Sequence, residues 1–413
     1  MLPPTLKARA ARIRSGEQSA VEAVLAALAL LDDFGVLEPT AWRDDAAVLA
    51  RAEAADEAMI AGHSVGPLHG VPITVKDWID VEGFPCAGGD GAHRERRPLQ
   101  DATVVARLRS AGAIVVAKSS AGEGSDVYGT PRNPWDSERT PGHSSSGDAI
   151  AVSIGAVPLG LGSDSGGSLR FPAHCSGVAA IRPTYGLVPG TGHFPPIDRM
   201  SDGRTVIGPI CGTSADLGTV LELIAGADRI DPDCPPLGFS TGSSTEGLRV
   251  LVHRDESVAP DSDVIAVLER SAGALSDAGH EVSEADALEP SRALEITQRY
   301  WNRPLPTGEA TEAFLADWQS FRRRGMELMR STDVIISPGA PYPAPAIGKS
   351  TDLDWSYTLA ASLWGFPALV VPAGASGAGL PIGVQVVGAP WMDALVIAVG
   401  EYLEIPPGQS PTP

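Results

Sequence analysis

Two short segments concentrate serine and glycine in a pattern that suits nucleophilic catalysis. The first, TPGHSSSGD, carries three consecutive serines at 144–146, and the second, GSDSGGSLRFP, carries serines at 163, 165 and 168. A serine hydroxyl is a good nucleophile only when a neighbouring group takes its proton. Glycines beside the nucleophile let backbone N–H groups approach the oxyanion that forms during acyl transfer. The two segments therefore predict a serine hydrolase.

The sequence offers a lysine as the base. Lys76 directly follows the apolar run VPITV, which predicts that it lies at the end of a buried strand. Desolvation there disfavours the ammonium form. Lowering a lysine pKa from about 10.4 to roughly 7–8 corresponds to about 4 kcal/mol. We interpret His143, His174 and His193 as loop or packing residues, because no pair has the spacing of metal ligands on one helix.

Other uses of a serine-rich loop are not supported. No Gly-Lys-Ser/Thr sequence follows the strand VPLGL, and neither segment contains the G-x-S-x-G of a nucleophile elbow. Residues 164–167 do copy the DSGG of chymotrypsin-like proteases. Those enzymes place the histidine before the serine and are β-barrels, whereas here Ala173-His174-Cys175 comes after it and the chain has the pattern of an α/β protein.

The elements that must position these residues are short apolar strands alternating with Ala/Leu/Glu-rich helices. We predict strands at 72–75, 113–117, 157–161, 333–337, 368–371, 383–387 and at LRVLV, and helices near 19–33, 45–61, 101–111, 146–156, 213–226, 261–279, 308–330 and 391–403. Most strand runs are apolar throughout, which is typical of strands buried on both faces. The pattern predicts a three-layer α/β/α fold with a large mixed, mostly buried sheet.

Composition and charge argue against some kinds of binding partner and indicate where in the cell the protein is located. The net charge is −20 with no large basic block, which argues against a nucleic-acid partner. Four widely spaced cysteines without a C-x-x-C pair suit reduced thiols, so we expect a cytoplasmic location. The long apolar segment at 369–388 is interrupted by proline and glycine, so no membrane span is predicted. A homodimer is left open.

Three motifs together resemble the amidase signature family. They are Gly70 to Asp77, Thr140 to Gly147 and Gly162 to Pro172, and the closing segment 358–388 is also similar to that of the family. The resemblance implies a catalytic triad of Lys76, Ser144 and Ser168, in which Ser144 follows a cis peptide bond and lies 24 residues before the nucleophile. It also implies one domain over 1–405, with core motifs at 62–190 and a closing segment at 333–403. The proline-rich end PPGQSPTP at 406–413 is expected to be a disordered tail.

The glycine-rich turn supplies further candidates around the triad. The backbone N–H groups of Ser165, Gly166, Gly167 and Ser168 are expected to form the oxyanion hole. Ser145, Asp164 and Arg170 are the candidates for supporting contacts; Ser145 or Ser146 could cap the next helix, and Asp164 with Arg170 could hold the loop or be a turn aspartate and a solvent-facing arginine. His143 stands where the family commonly has glycine, the easiest residue before a cis bond.

Aromatic residues suggest the nature of the pocket. The candidates for lining it are Trp78, Tyr128, His143, Phe194, Trp355 and Trp364, with core packing as the alternative for each. No arginine or lysine besides Lys76 is obviously placed to bind a substrate carboxylate. We therefore expect a hydrolase of neutral, apolar or aryl amides, and of carbamates or esters, that needs no metal or cofactor. The alternatives are the glutaminase subunit of a tRNA-dependent amidotransferase and a non-catalytic relative that acts as a binding protein.

Overall fold

In the part of the chain that the structure describes, eleven strands form one mixed sheet. The computed structural model describes residues 5–63, 65–122, 124–197, 202–255, 257–302 and 309–405. The strands are β1 (Thr40–Trp42), β2 (Pro72–Lys76), β3 (Ile114–Ser119), β4 (Leu159–Asp164), β5 (Ala179–Arg182), β6 (Val206–Cys211), β7 (Arg249–His253), β8 (Glu281–Ala285), β9 (Val334–Pro338), β10 (Ala368–Ala375) and β11 (Pro381–Gly388).

Twelve α-helices accompany the sheet in the described part of the chain. They are α1 (Leu6–Arg14), α2 (Ala20–Asp33), α3 (Asp45–Ile60), α4 (Thr103–Ser110), α5 (Ser146–Ser153), α6 (Arg170–Ser176), α7 (Ser214–Ile224), α8 (Ser262–Asp277), α9 (Pro290–Trp301), α10 (Glu309–Leu328), α11 (Leu359–Trp364) and α12 (Asp393–Leu403). The α2 helix begins with the capping box that Ser19 and Glu22 form, which satisfies two backbone N–H groups at its first turn.

The strand order is β1-β3-β2-β4-β6-β5-β10-β11-β9-β7-β8. The strand β2 runs parallel to both β3 and β4, and β7 runs parallel to β8 and β9. Along the run β4-β6-β5-β10-β11-β9, each strand pairs antiparallel with its neighbour, so the sheet is mixed. The parallel run at β3-β2-β4 matters for function, because it brings the carboxyl ends of β2 and β4 together.

Helices cover both faces of the sheet. The contacts of β10 and β11 show this directly: Gly383 and Gln385 face α6, where they contact His174 and Arg170, whereas Leu369 and Val371 face α12 at Gly400. Because successive strand residues point to opposite faces, these contacts separate two helical layers. The strands β2, β3, β4, β5, β6, β9 and β11 are buried along their whole length. The predicted three-layer α/β/α fold is confirmed.

The sequence pattern misses four of the strands and four of the helices described. It does not predict β1, β5, β6 and β8, nor α1, α6, α9 and α11. β8 is exposed along most of its length and carries three charged or polar residues, so it has no apolar run to reveal it. β6 begins at Val206, and its VIGPIC sequence is interrupted by glycine and proline, so it does not have the continuous apolar pattern of the predicted strands. The tail at 406–413 lies outside the described residues, and the single domain over 1–405 stays a prediction.

Candidate active site

Lys76 is the last residue of β2 and its side chain is almost wholly buried, with 1% of its surface exposed. Its Nζ atom lies 2.5 Å from Ser144 Oγ and 3.0 Å from Ser163 Oγ, and the Ser163 carbonyl oxygen is 3.4 Å away. The ring of Trp78 covers the amine at 4.8 Å from its centroid. Lys76 is therefore enclosed by two serines and an aromatic ring rather than by carboxylates.

Burial lowers the pKa of Lys76 to about 7, since desolvation disfavours the ammonium form. The carboxyl groups of Asp148 and Asp164 oppose this shift. Asp148 is itself buried, accepts a hydrogen bond of 2.7 Å from Thr74 Oγ1, and has a pKa raised to about 7 by burial. The amine is thus half neutral near pH 7, which is the state a general base needs.

Ser144 lies two residues before the start of α5, in the triple-serine segment that leads into this helix. Its φ of 71° is in the left-handed region that serine rarely adopts. The cis peptide bond in the described residues is Phe194–Pro195, so the His143–Ser144 bond is trans. The cis bond that the family resemblance implied is therefore not found here; the backbone turns at Ser144 through positive φ instead, and position 143 carries a side chain where glycine is common.

Ser168 lies in the turn between β4 and α6, and this turn is tied to the segment that carries Ser144. The Ser145 N–H donates to the Ser168 carbonyl oxygen at 3.3 Å, which joins the two serine-rich segments. Ser165 Oγ, in contrast, is paired with Thr205 Oγ1 at 2.5 Å. The structure thus brings Ser168 next to the segment of Ser144 and turns Ser165 toward another partner.

A buried ion pair holds this turn. Asp164 accepts hydrogen bonds from the N–H groups of Gly167 at 2.8 Å and Leu169 at 3.1 Å. Arg170 contacts both carboxylate oxygens of Asp164 at 3.0 Å, and neither side chain is exposed. The neighbouring guanidinium groups of Arg170 and Arg182 lower the pKa of Asp164 to about 2. Of the two sequence interpretations, the paired arrangement is the one found.

The candidate oxyanion donors differ from one another. The Gly167 N–H is used by Asp164, so it is not free for a substrate, and this corrects its inclusion in the hole. The N–H groups of Ser165, Gly166 and Ser168 have no protein partner within the described chain. Gly167 instead has a steric role: its φ is 135°, and an added Cβ would lie 2.3 Å from Thr358 Oγ1.

Ser145 and Ser146 support the site without capping α5. Ser145 is the N-cap residue but its side chain makes no capping bond; its Oγ instead contacts the backbone of Ser163 at 3.3 Å and 3.4 Å. Ser146 Oγ accepts from the Gly122 N–H at 2.8 Å. Capping was the wrong interpretation because β4 approaches α5 closely enough to take the Ser145 hydroxyl.

His143 forms one wall beside the catalytic turn. Its ring stacks on Phe171 at 5.4 Å and packs against Trp355 at 4.9 Å, while Nε2 lies 3.0 Å from Asp354 Oδ2. Asp354 is buried and also accepts a hydrogen bond of 2.5 Å from Tyr342. Trp355 reaches the turn itself, since a Cβ on Gly167 would lie 3.1 Å from its ring. We call His143, Phe171 and Trp355 the aromatic wall.

Three of the other pocket candidates lie beside Lys76 or the glycines at 88–89, and the fourth lies in the core. Trp78 contacts Lys76, Tyr128 packs over Gly89, and Phe194 lies against Gly88 and takes Arg96 over its ring at 4.0 Å. Trp364 does not line the pocket. It is 2% exposed and packs in a separate core cluster against Phe321 and Phe366, so for this residue core packing was correct.

Sequence reasoning missed four polar residues at the site, namely Asp148, Ser163, His193 and Asp354. Ser163 contacts Lys76, and Asp148 acts on its charge. Asp354 contacts His143, and the His193 ring meets Trp78 edge-on. The sequence offered two signals. Thr74, the partner of Asp148, lies on the same face of β2 as Lys76, and Ser163 directly precedes the candidate Asp164 on β4. The partners of His193 and Asp354 come from distant segments, which no local pattern reveals.

One group in the described residues has metal-ligating side chains in proximity, namely His253, Asp255 and Asp286. It lies at the ends of β7 and β8, and His253 Nδ1 already accepts from the N–H groups of Ala287 and Leu288 at 3.2 Å and 3.3 Å. The candidate catalytic residues are hydroxyl, amine and amide groups, which suit proton transfer rather than metal ligation.

Among the helices described, none is long and apolar enough to cross a membrane.

Comparison with known proteins assigns the chain to a family. The family model for amidases matches residues 40–304 and 298–397. The chain belongs to the amidase signature family. A member of this family hydrolyses carbon–nitrogen bonds, and the amidase assignment made from the sequence is confirmed.

Similar proteins include both amidases and amidotransferase subunits. A subunit of the glutamyl-tRNA(Gln) amidotransferase of Chloroflexus aurantiacus is 32% identical over 472 aligned positions, covering 96% of this chain and 95% of the relative. A solved amidase is 27% identical with a TM-score of 0.85, covering 97% and 99% of the two chains. An inhibitor-bound complex described in work on the origins of an s-triazine catabolic enzyme is also 27% identical with a TM-score of 0.85, covering 98% of each chain.

Proposed function

We propose that this amidase acts on its own as a hydrolase of neutral amides that carry aryl or other apolar groups, through an acyl-enzyme on Ser168. Carbamates and esters of similar shape are included in the proposal. The observation that carries it is the contact between Ser144 and Lys76, a buried lysine whose pKa is lowered to about 7. A neutral amine beside a bridging hydroxyl is what serine activation needs when histidine does not supply the base.

In the proposed mechanism the proton of Ser168 passes through Ser144 to Lys76 as Ser168 Oγ attacks the carbonyl carbon. The N–H groups of Ser165, Gly166 and Ser168 donate to the oxyanion of the tetrahedral intermediate. When the intermediate collapses, the C–N bond breaks and the proton returns through Ser144 to the leaving amine. Water then attacks the acyl-enzyme and gives up its proton to Lys76 by the same path. When the second tetrahedral intermediate collapses, the bond between the acyl group and Ser168 Oγ breaks, the proton returns through Ser144 to Ser168 Oγ, and the acid is released.

The charges around the site support a neutral substrate. Arg170 and Arg182 are fully buried and bonded to Asp164 and to backbone carbonyl oxygens, and Lys118 is fully buried and donates to the Ile79 carbonyl oxygen at 2.6 Å. These three cations are therefore engaged within the protein. A substrate carboxylate near the turn would meet the aromatic wall instead, which favours an aryl or apolar group.

The glutaminase subunit of an amidotransferase is the second candidate, and the 32% identity to a subunit of such an enzyme favours it. Against it, the alignment extends over 472 positions while this chain has 413 residues, so the relative carries insertions that this chain lacks. A non-catalytic binding protein is less well supported, because Lys76, Ser144 and Ser168 are all present. We also propose a cytoplasmic enzyme with a small-molecule substrate, one domain over 1–405 and no nucleic-acid or membrane partner; a homodimer stays open.

A substrate panel tests the proposal. Purified protein is assayed with a neutral anilide, an aryl carbamate, an aryl ester, glutamine and asparagine, and Ser168→Ala serves as the matched inactive control. We expect kcat/KM for the anilide to exceed that for glutamine. A preference for glutamine, or turnover that depends on ATP and tRNA, would instead support the amidotransferase subunit.

A further inference from the structure

The imidazole of His193 is held in one tautomer. Its Nδ1 atom lies 2.7 Å from the carbonyl oxygen of Pro195, which can only accept, so Nδ1 carries the hydrogen. Burial lowers the pKa of His193 to about 4, so the ring is neutral at working pH. In a neutral imidazole the second nitrogen is an acceptor, and Nε2 is therefore a fixed acceptor.

That acceptor determines the direction of the next hydrogen bonds. Ser163 Oγ lies 3.0 Å from His193 Nε2, so the Ser163 hydroxyl donates to the imidazole. Its oxygen is then left to accept from Lys76 Nζ at 3.0 Å, and the Ser163 carbonyl oxygen accepts a second, longer bond of 3.4 Å from the same amine. A neutral amine has two hydrogens and one lone pair. With both hydrogens directed to Ser163, the lone pair of Lys76 faces Ser144 Oγ at 2.5 Å.

We propose that His193 is a positioning residue for the catalytic base: by accepting from Ser163, it directs the lone pair of Lys76 toward Ser144. This inference rests on the proposed function, in which Lys76 receives the proton of the relay. His193 does not touch the reacting atoms and acts only through Ser163.

The backbone around His193 fixes its position next to β2. The Phe194 N–H donates to the Trp78 carbonyl oxygen at 2.7 Å, and the Asp80 N–H donates to the Gly192 carbonyl oxygen at 2.8 Å. An isolated bridge between Ile79 and His193 lies between these two bonds. The charges of Lys76, Asp202 and Asp80 act on the imidazole, and the Trp78 ring meets it edge-on at 6.0 Å.

Loss of the acceptor has a defined consequence for the base. Without Nε2, the Ser163 hydroxyl is free to donate to the lone pair of Lys76, and it then competes with Ser144. Removing the Ser163 hydroxyl as well abolishes this competition. The structure therefore predicts that Ser163→Ala partly restores an enzyme that carries His193→Phe, which a purely structural role of the histidine would not produce.

The experiment uses the full chain and four variants: His193→Phe, His193→Gln, Ser163→Ala and the double variant His193→Phe/Ser163→Ala. The readouts are the rate at which a fluorophosphonate modifies Ser168, kcat and KM for the anilide, and the thermal melting temperature. We expect His193→Phe to lower the labelling rate and kcat by about tenfold, with little change in KM, since it misdirects one hydrogen bond at the base. His193→Gln keeps an acceptor and should stay within about threefold of wild type.

Two outcomes contradict the inference. One is a folded His193→Phe variant with the labelling rate and kcat of wild type. The other is a double variant in which the fold-reductions in kcat of the two single variants multiply. Should His193→Phe fail to fold, the comparison of His193→Gln with Ser163→Ala decides, because the inference requires Ser163→Ala to be the slower of the two. Failure of the proposed function is distinguishable, since wild-type Ser168 would then resist labelling or wild type would leave the anilide intact.

Discussion

Lys76 and Ser144 meet at a distance of 2.5 Å between Nζ and Oγ, although 68 residues separate them in the chain. The lysine is buried at the end of β2, and the serine is partly exposed just before α5. The contact therefore connects a water-excluded amine with a hydroxyl that a substrate can approach. This relationship determines the first two predictions.

Substitution of Lys76 should abolish most of the activity while the fold survives. Lys76→Ala is expected to reduce anilide hydrolysis by at least about 10², the lower range for general acid–base groups. Lys76→Arg should be nearly as poor, because a guanidinium does not deprotonate in a protein. Steady-state kinetics together with circular dichroism check both statements. Near-normal activity of the arginine variant would exclude Lys76 as the base.

The activity should fall on the acid side of neutrality. Since Lys76 has a pKa of about 7 and must be neutral to accept a proton, kcat/KM is expected to rise with pH and to level off above about 7. The carboxyl group of Asp148 raises the pKa of Lys76, so Asp148→Asn should move the acid limb to lower pH. Asp277→Asn, an exposed charge change, serves as the control and should leave the profile unchanged. A limb that stays in place in Asp148→Asn would contradict the coupling.

The sequence predicts the elements with strong local signals and misses those that depend on distant partners. The buried run before Lys76 is correctly interpreted as a strand, because apolar residues at successive positions need two covered faces. Trp364 is predicted to line the pocket since its neighbours resemble a pocket wall, yet its ring points into a different core cluster. The direction of a side chain within a helix depends on packing against α10, which the sequence of α11 does not contain.

The contacts that support the site divide in the same way: a contact between residues close in the chain could be predicted, and contacts between distant segments could not. Asp164 and Arg170 are six residues apart, and their pairing across one turn was foreseeable as one of two alternatives. Asp354 reaches His143 from 211 residues away, and His193 reaches Ser163 from 30. Such contacts join segments that are distant in the chain, so the local sequence of neither partner reveals them.

A fluorophosphonate should label Ser168 and not Ser165. Ser168 lies in the turn beside the segment that carries Ser144, whereas the Ser165 hydroxyl is engaged with Thr205 at 2.5 Å. Peptide mass mapping after labelling identifies the modified residue. Ser165→Ala should still be labelled, and Ser168→Ala should not. A label on Ser165 in wild type would overturn the assignment of the nucleophile.

The two tryptophans near α11 should respond differently to substitution. Trp355 belongs to the aromatic wall, so Trp355→Ala is expected to lower kcat/KM for an aryl anilide by about tenfold, the equivalent of one aromatic contact. Trp364 packs against Phe321 and Phe366 in the core, so Trp364→Phe should lower the melting temperature with little effect on KM. An aliphatic amide provides the control substrate, for which the Trp355→Ala loss should be smaller. Equal losses for both substrates would contradict a stacking role.

The buried ion pair between Asp164 and Arg170 should be much more sensitive to substitution than an exposed ion pair such as that of Arg12 and Glu17. Both groups are fully buried, and Arg170 also donates to the Thr358 carbonyl oxygen and to Gln385. Arg170→Met removes one partner and leaves the carboxylate buried, which should cost about 3–5 kcal/mol of unfolding free energy. Arg12→Met breaks an exposed pair with Glu17 and should cost less than about 1 kcal/mol.

Urea denaturation of wild type, the two single variants and Asp164→Asn/Arg170→Met measures these differences. The double variant should lose less stability than Arg170→Met, because the uncompensated charge is gone. The pKa of Asp164 is lowered to about 2, so its contribution is fully present above about pH 4 and is lost as the pH falls toward 2. Between those values the stability gap between wild type and the double variant should therefore narrow. A gap that is constant with pH would mean that the carboxylate charge at Asp164 does not hold the catalytic turn.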